Sequence, residues 1–123
     1  MKWYTKAANQ GNAEAQAQAN LGLKYDNGEG VPENNKTAVK WYTLAAEQGY
    51  AMAQGNLGNM YFNGTGVLTD SRRAYMWLNL GSYNGSERGG KRKDDMAKKM
   101  TPADISKAQD MSSQCLGSKC TDC

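Results

Sequence analysis

An internal repeat with a period of 36 residues is the feature that most constrains the fold of this 123-residue chain. The segment NLGLKY at 20–25 recurs as NLGNMY at 56–61, and NGEGV at 27–31 recurs as NGTGV at 63–67. Units of this length stack side by side, and each buries its apolar face only against its neighbours. The repeat therefore predicts a stack of small units rather than one thick globular core.

An earlier segment repeats with a slightly different spacing. KWYT at 2–5 recurs at 40–43, an offset of 38, so two extra residues lie between Gly11 and residue 20, in or near the AQAQ run. Two residues added inside a helix would rotate everything beyond them by about 200°. We therefore expect a longer turn after Gly11, or half an extra helical turn, with Leu21 and Tyr25 still in the core.

Each unit contains two predicted helices. In the first helix of the second unit, apolar residues recur at three- and four-residue steps, the spacing of one helix face: Ala53, Leu57, Met60 and Tyr61. Gly58 lies in mid-helix, where glycine costs about 1 kcal/mol relative to alanine, so its recurrence predicts close approach of a neighbouring helix. Gly64 can adopt the left-handed conformation that ends this helix.

The second helix of each unit follows a capping residue, Asn34 or Asp70, whose side-chain oxygen can accept a hydrogen bond from a free backbone N–H. Its predicted buried face in the first unit consists of Ala38, Trp41, Tyr42, Ala45 and Ala46. Gly49 is predicted to end that helix, as Gly11 and Gly85 end the other copies. Thr101-Pro102-Ala103-Asp104 predicts the start of a last helix, with Thr101 as its N-cap.

These signals predict one repeat domain over 1–114 and a Cys-containing tail over 115–123. The domain divides into a second helix without its partner at 1–11, full units at 12–49 and 50–85, and capping helices at 86–114. The predicted fold class is all-α: a right-handed α/α superhelix, or solenoid, of antiparallel helix pairs. In the cap, charged residues replace the Leu-Gly pair of the repeat, as the water-facing end of a stack requires.

Composition excludes several classes of function. No apolar run approaches the roughly 20 residues that span a bilayer, and the first residues lack the apolar core of a secretion signal. The net charge of +3, with acidic residues among the basic ones, does not indicate a nucleic-acid partner. The chain has no His, which excludes His-dependent triads and His metal sites. We predict no catalytic residue, no metal site and no cofactor.

The repeated residues closely resemble the Sel1-like repeat, a member of the tetratricopeptide-like helical superfamily. The family pattern A-x-A-Q-x-x-L-G-x-x-Y-x-x-G-x-G-V is matched by 51–67, and A-x-x-W-Y-x-x-A-A-x-x-G, after its capping residue, by 34–49. The closing T-P-x-x-I-x-x-A-Q helix is similar to the end of many bacterial members. The resemblance covers about residues 1–114.

The resemblance implies an adaptor or scaffold, not an enzyme, that binds a protein or peptide in a concave groove lined by the first helix of each unit. The groove candidates are Gln16, Asn20, Leu23, Met52, Asn56, Asn59, Phe62, Arg88, Lys91, Arg92 and Asp95. Amides can bond to the backbone of an extended peptide, and Arg or Lys can bind a carboxylate. Alternatively, Asn20 and Asn56 satisfy only neighbouring backbone groups.

Two further clusters have alternative interpretations. The basic cluster over 88–93, with Lys98 and Lys99, either steers an acidic partner or is simply the solvated face of a cap helix. Cys115, Cys120 and Cys123 form a disulfide within the tail, stay unpaired, or join two molecules or a metal.

Two other functions are compatible with the family. Cysteine-rich Sel1 relatives have been linked to penicillin binding and weak β-lactamase activity, but they carry a disulfide in each repeat, and this chain has neither those cysteines nor an S-x-x-K motif. The chain could instead be the structural end of a larger solenoid, with apolar surface around Trp3 and Tyr4 that favours self-association. The sequence does not distinguish a bacterial cytoplasmic location from a periplasmic or secreted one.

Overall fold

The computed structural model describes the backbone of residues 2–85 and 87–117, and the side chains of 13–85 and 90–114. This part of the chain forms six α-helices: α1 (Lys2–Asn27), α2 (Asn35–Glu47), α3 (Ala51–Asn63), α4 (Ser71–Tyr83), α5 (Glu87–Ala97) and α6 (Pro102–Gly117). Helices pack in pairs along the chain, and α6 returns to pack on α4. The predicted all-α stack of helix pairs is confirmed.

The predicted helix starts at Asn34, Asp70 and Thr101 and the predicted helix end at Gly64 are also confirmed, whereas the end predicted at Gly11 does not form. Three N-cap side chains accept a hydrogen bond from the backbone N–H three residues further on: Asn34 at 3.0 Å, Asp70 at 3.1 Å and Thr101 at 3.1 Å. Gly64 ends α3 in the left-handed conformation, with φ of 69°. These bonds satisfy backbone groups that a helix terminus leaves free.

Glycines at one repeat position let the paired helices approach closely. A Cβ atom placed on Gly58 would lie 2.7 Å from Leu78 Cγ, and one placed on Gly22 would lie 2.7 Å from Tyr42 Cδ1. Leu78 and Tyr42 are themselves equivalent positions of the two units. The close approach predicted from the recurrent glycine is therefore confirmed in both units.

The core runs through the stack as two adjoining clusters. The larger one joins α1, α2, α3 and α4, and its fully buried members include Ala19, Tyr42 and Leu57. The smaller one joins α4 to the two capping helices through residues such as Leu78, Met96 and Ala108. Thin layers of alanine and a few large side chains are thus sufficient to hold each helix against the next.

The expectation for the N-terminal part of the chain is wrong in two respects. α1 is one continuous helix of 26 residues, so the turn after Gly11 does not form. Leu21 is 36% exposed rather than buried, because residues 2–11 continue the axis of α1 and a straight helix cannot fold back over its own side chains. The expected register is nevertheless kept: Ala19 and Gly22 are buried, and Tyr25 packs against the core.

Local sequence favours the continuous helix. The residues after Gly11 read NAEAQAQA, and alanine, glutamate and glutamine all favour a helix interior. Because residues 2–11 do not fold back over α2, Trp41 is only half-buried, although the sequence predicts it to be buried. Its repeat partner Trp77 is buried.

Candidate functional site

The first helices of successive units, α1, α3 and α5, border two neighbouring cavities. The first has a volume of about 380 Å³ and lies between α1 and α3. The second has a volume of about 460 Å³ and is lined from α3 and α5. Asn59 lines both cavities, so together they form one trough across the three helices, which we call the groove.

Amide side chains dominate the first cavity. Its lining consists of Leu23, Asp26, Asn27, Asn56, Asn59, Met60, Asn63 and Thr65. Asp26 is held by the hydroxyl of Tyr42, which donates to its Oδ2 atom at 3.4 Å. Asparagine offers both a donor and an acceptor, so this surface can pair with the N–H and C=O groups of an extended backbone.

Asn59 has the least satisfied side chain in the groove. Its Oδ1 atom is buried, and among the described residues no group donates a hydrogen bond to it. A buried acceptor without a partner costs about 1–3 kcal/mol. Because Asn59 lines both cavities, rotation of its amide toward the groove would let Oδ1 accept a hydrogen bond from an entering N–H group, which makes Asn59 the strongest single candidate for a contact with a ligand.

The second cavity is basic. Lys91, Arg92 and Asp95 of α5 line it together with Asn59, and among the described side chains neither Lys91 nor Arg92 forms an ion pair. The Arg92 guanidinium lies 5.8 Å from the centre of the Phe62 ring, and the Lys99 ammonium lies 5.0 Å from it. The ring attracts both cations and helps to orient Arg92. This end of the groove can therefore bind a carboxylate.

Six of the eleven predicted groove residues line the two cavities: Leu23, Asn56, Asn59, Lys91, Arg92 and Asp95. Gln16, Asn20 and Met52 are exposed but line neither cavity. Phe62 packs against the smaller core cluster, and its ring contacts the Arg92 and Lys99 cations at the basic end. The side chain of Arg88 lies outside the described residues, so its place in the groove stays a prediction.

The sequence analysis missed part of the first cavity. Asp26, Asn27, Met60, Asn63 and Thr65 also line it, at or near the ends of α1 and α3. Their signal in the sequence was the recurrence of Asn27 as Asn63, directly before a capping glycine. An asparagine before a glycine is also typical of a turn, so the pattern alone does not indicate a binding surface.

The remaining sequence candidates do not add to this site. The backbone of Cys115 belongs to α6, but its side chain, Cys120 and Cys123 lie outside the described residues, so the disulfide stays a prediction. Within the described part of the chain, no cluster of three or more His, Cys, Asp or Glu side chains could hold a metal ion. In the same part of the chain, every helix is too short or too polar to span a membrane.

Comparison with known proteins identifies the repeat. The sequence model of the Sel1 repeat matches residues 1–12, 15–50 and 51–86. The structure is similar to a protective antigen of uropathogenic Escherichia coli that displays an SLR fold, with 34% identity and a TM-score of 0.83 over 98% of this chain. It is also similar to a Sel1 repeat protein from Oxalobacter formigenes, with 41% identity and a TM-score of 0.61 over 72% of this chain.

The chain is shorter than these two proteins. It spans 26% of the length of the Escherichia coli antigen and 35% of the length of the Oxalobacter protein. No curated protein matches the chain.

Proposed function

Because the chain belongs to the Sel1 repeat family, whose members typically mediate protein interactions, we propose that it binds an extended protein segment in the groove of α1, α3 and α5. The observation that carries this proposal is Asn59. Asn59 lines both the amide-rich and the basic cavity, and its Oδ1 atom is buried without a hydrogen-bond donor among the described residues. Sel1 scaffolds are usually non-enzymatic, and the groove is proposed as a binding site only.

The amide-rich end is suited to the backbone of the ligand. Asn56, Asn59 and Asn63 follow one another along α3 at three- and four-residue steps, over about 10 Å of helix axis. That distance matches about three residues of an extended chain. Each amide can then bond to the main chain of the ligand, and the Asn59 side chain rotates so that Oδ1 accepts from a peptide N–H.

The basic end gives the ligand a direction. Lys91 and Arg92 offer two positive charges against the single negative charge of Asp95. A ligand with an acidic side chain or a free C-terminal carboxylate at this end gains charge-assisted hydrogen bonds there. At the opposite end, Asp26 disfavours a second carboxylate and favours a neutral or basic group.

A peptide display library tests the proposal directly. The wild-type chain is used to select peptides, once with free C-termini and once with amidated ones. We expect selected peptides to lose about tenfold or more in affinity for a variant with Asn56→Ala, Asn59→Ala and Arg92→Ala. The matched control carries Gln16→Ala, Asn20→Ala and Lys98→Ala, which remove similar groups from exposed positions outside the cavities.

The control and the groove variant must first show the same helical circular dichroism. If no peptide is enriched, or if the two variants lose affinity equally, the groove is not the binding site. A preference for free over amidated C-termini would identify the carboxylate at the basic end as the terminal one.

A further inference from the structure

The first unit of the stack exposes an apolar face that the second unit buries. In the second unit, Leu57, Trp77 and Leu80 are only 0%, 3% and 1% exposed. Their equivalents 36 residues earlier form what we call the end face: Leu21, Trp41 and Leu44. Leu21 is 36% exposed, Leu44 is 44% exposed and Trp41 is half-buried. The same three repeat positions thus have opposite environments.

The missing cover is a helix of the α2 type. In the second unit, Leu57, Trp77 and Leu80 share one core cluster with three fully buried residues of α2, which are Tyr42, Ala45 and Ala46. α2 precedes α3 in the chain and packs against it. The end face would therefore be covered by a helix that carries the sequence of α2 and precedes α1.

Residues 2–11 have that sequence. They read KWYTKAANQG, and 40–49 in α2 read KWYTLAAEQG, so eight of ten residues are identical. Tyr4, Ala7 and Ala8 stand at the positions of the buried α2 residues. The Sel1 repeat model also matches 1–12 separately from the unit that begins at residue 15.

The continuous α1 prevents this segment from covering its own end face. Gly49 ends α2 with φ of 86°, whereas Gly11 lies within helical α1. At 1.5 Å per residue, Gly11 and Leu21 are about 15 Å apart along one axis. Residues 2–11 therefore lie further along the same helix axis and do not cover Leu21 of their own chain.

We propose that two copies of the chain form a dimer by exchanging this segment, so that residues 2–11 of each copy cover the end face of the other. The two α1 helices would then lie antiparallel, as consecutive helices of the stack do. A two-fold axis near residues 12–13 brings both segments over both end faces at once, which makes the contact closed and self-complementary. This surface differs from the groove, and the dimer does not depend on peptide binding.

Sedimentation equilibrium in a reducing buffer tests the dimer, from about 1 to about 200 µM chain. We expect a species of twice the 13.4 kDa monomer mass. Leu21→Glu and Leu44→Glu, each tested separately, should weaken the dimer about tenfold or more by placing a charge in the buried face. Leu68→Glu is the matched control, because Leu68 is 90% exposed on the loop between α3 and α4, and it should leave the dissociation constant unchanged.

A second variant tests the exchange itself. A flexible Gly-Ser-Gly-Ser insertion after Gly11 lets residues 2–11 turn back onto their own chain, so it should convert the dimer to a monomer with unchanged helical circular dichroism. A wild-type chain that stays monomeric over the whole range overturns the proposal. So does a dimer that resists both glutamate variants, or one that persists with the insertion.

Discussion

Gln54 and Asn84 are joined by a hydrogen bond that ties α3 to the end of α4: Asn84 Nδ2 donates to Gln54 Oε1 at 2.8 Å. Gln54 is fully buried, and its own Nε2 atom donates to the carbonyl oxygen of Ala46 at 3.0 Å. The first unit has the same tie at the same spacing, since Gln48 Nε2 donates to Gln18 Oε1 at 2.5 Å. The glutamine of each unit thus fastens the first helix to the turn that ends the second.

Burial makes the tie in the second unit the stronger one. Gln54→Ala leaves the carbonyl of Ala46 and the amide of Asn84 without their partner, so we expect a loss of about 2–3 kcal/mol in the free energy of unfolding. Gln18→Ala, at the half-exposed equivalent, should cost less than about 1 kcal/mol. Urea denaturation measures both. Equal losses would show that burial does not set the strength of this tie.

Gly58 is expected to tolerate no side chain. A Cβ there would lie 2.7 Å from Leu78 Cγ and 3.0 Å from the Leu78 backbone nitrogen. Gly58→Ala should therefore cost about 1–3 kcal/mol of overpacking, even though alanine gains about 1 kcal/mol in helix propensity. In Gly90→Ala the closest atom is the mobile hydroxyl oxygen of Ser82 at 3.1 Å, so this variant should be neutral or slightly stabilised. Thermal unfolding that ranks the two variants the other way round would contradict the prediction.

Two carboxyl groups should give opposite pH dependences. The hydrogen bond from Arg72, whose Nε donates to Asp104 Oδ1 at 3.1 Å, lowers the pKa of Asp104, with help from Thr101. Burial raises the pKa of Glu47. The Asp104 contribution to stability is present above the pKa of the unfolded chain and is lost as pH falls through the lowered value. The Glu47 contribution is present below its unfolded pKa and is lost as pH rises through the raised value.

Chemical denaturation between about pH 3 and pH 7 checks these signs. Arg72→Gln should reduce the loss of stability in acid, because Asp104 then titrates closer to its ordinary value. Glu47→Gln should reduce the loss of stability as pH rises above the ordinary glutamate range. Identical pH profiles for wild type and both variants would show that neither pKa shift matters for folding.

Local patterns in the sequence were sufficient to predict most of the fold. The caps at Asn34 and Asp70 and the close contact at Gly58 each follow from a residue and its immediate spacing. Gly11 shows where this reasoning fails. It has the same repeat position as Gly49, yet it stays helical, because a glycine permits a turn without imposing one.

The groove was predictable only in part, for a related reason. Asn56, Asn59 and Arg92 follow from the repeat, since the period gives the face of each first helix. The role of Asp26 and Asn63 as lining depends on how far the ends of α1 and α3 stand from each other in space. Periodicity contains no information about that distance, so tertiary packing had to supply it.

Asn59 should show that stability and binding conflict in the groove. Its Oδ1 atom is buried without a donor among the described residues, so Asn59→Leu, similar in volume and apolar, is expected to raise the free energy of unfolding of the unliganded chain by about 0.5–1.5 kcal/mol. Asn56 is half-buried, and its amide has no buried atom without a hydrogen-bond partner among the described residues. Asn56→Leu should therefore change the free energy of unfolding by less than about 0.5 kcal/mol.

Urea denaturation of the two leucine variants, together with their affinity for a selected peptide, separates the two roles of Asn59. A variant that is more stable but no longer binds would show that the asparagine is kept for a ligand at the expense of folding. If Asn59→Leu is instead destabilised, the amide stabilises the free protein and its role is structural.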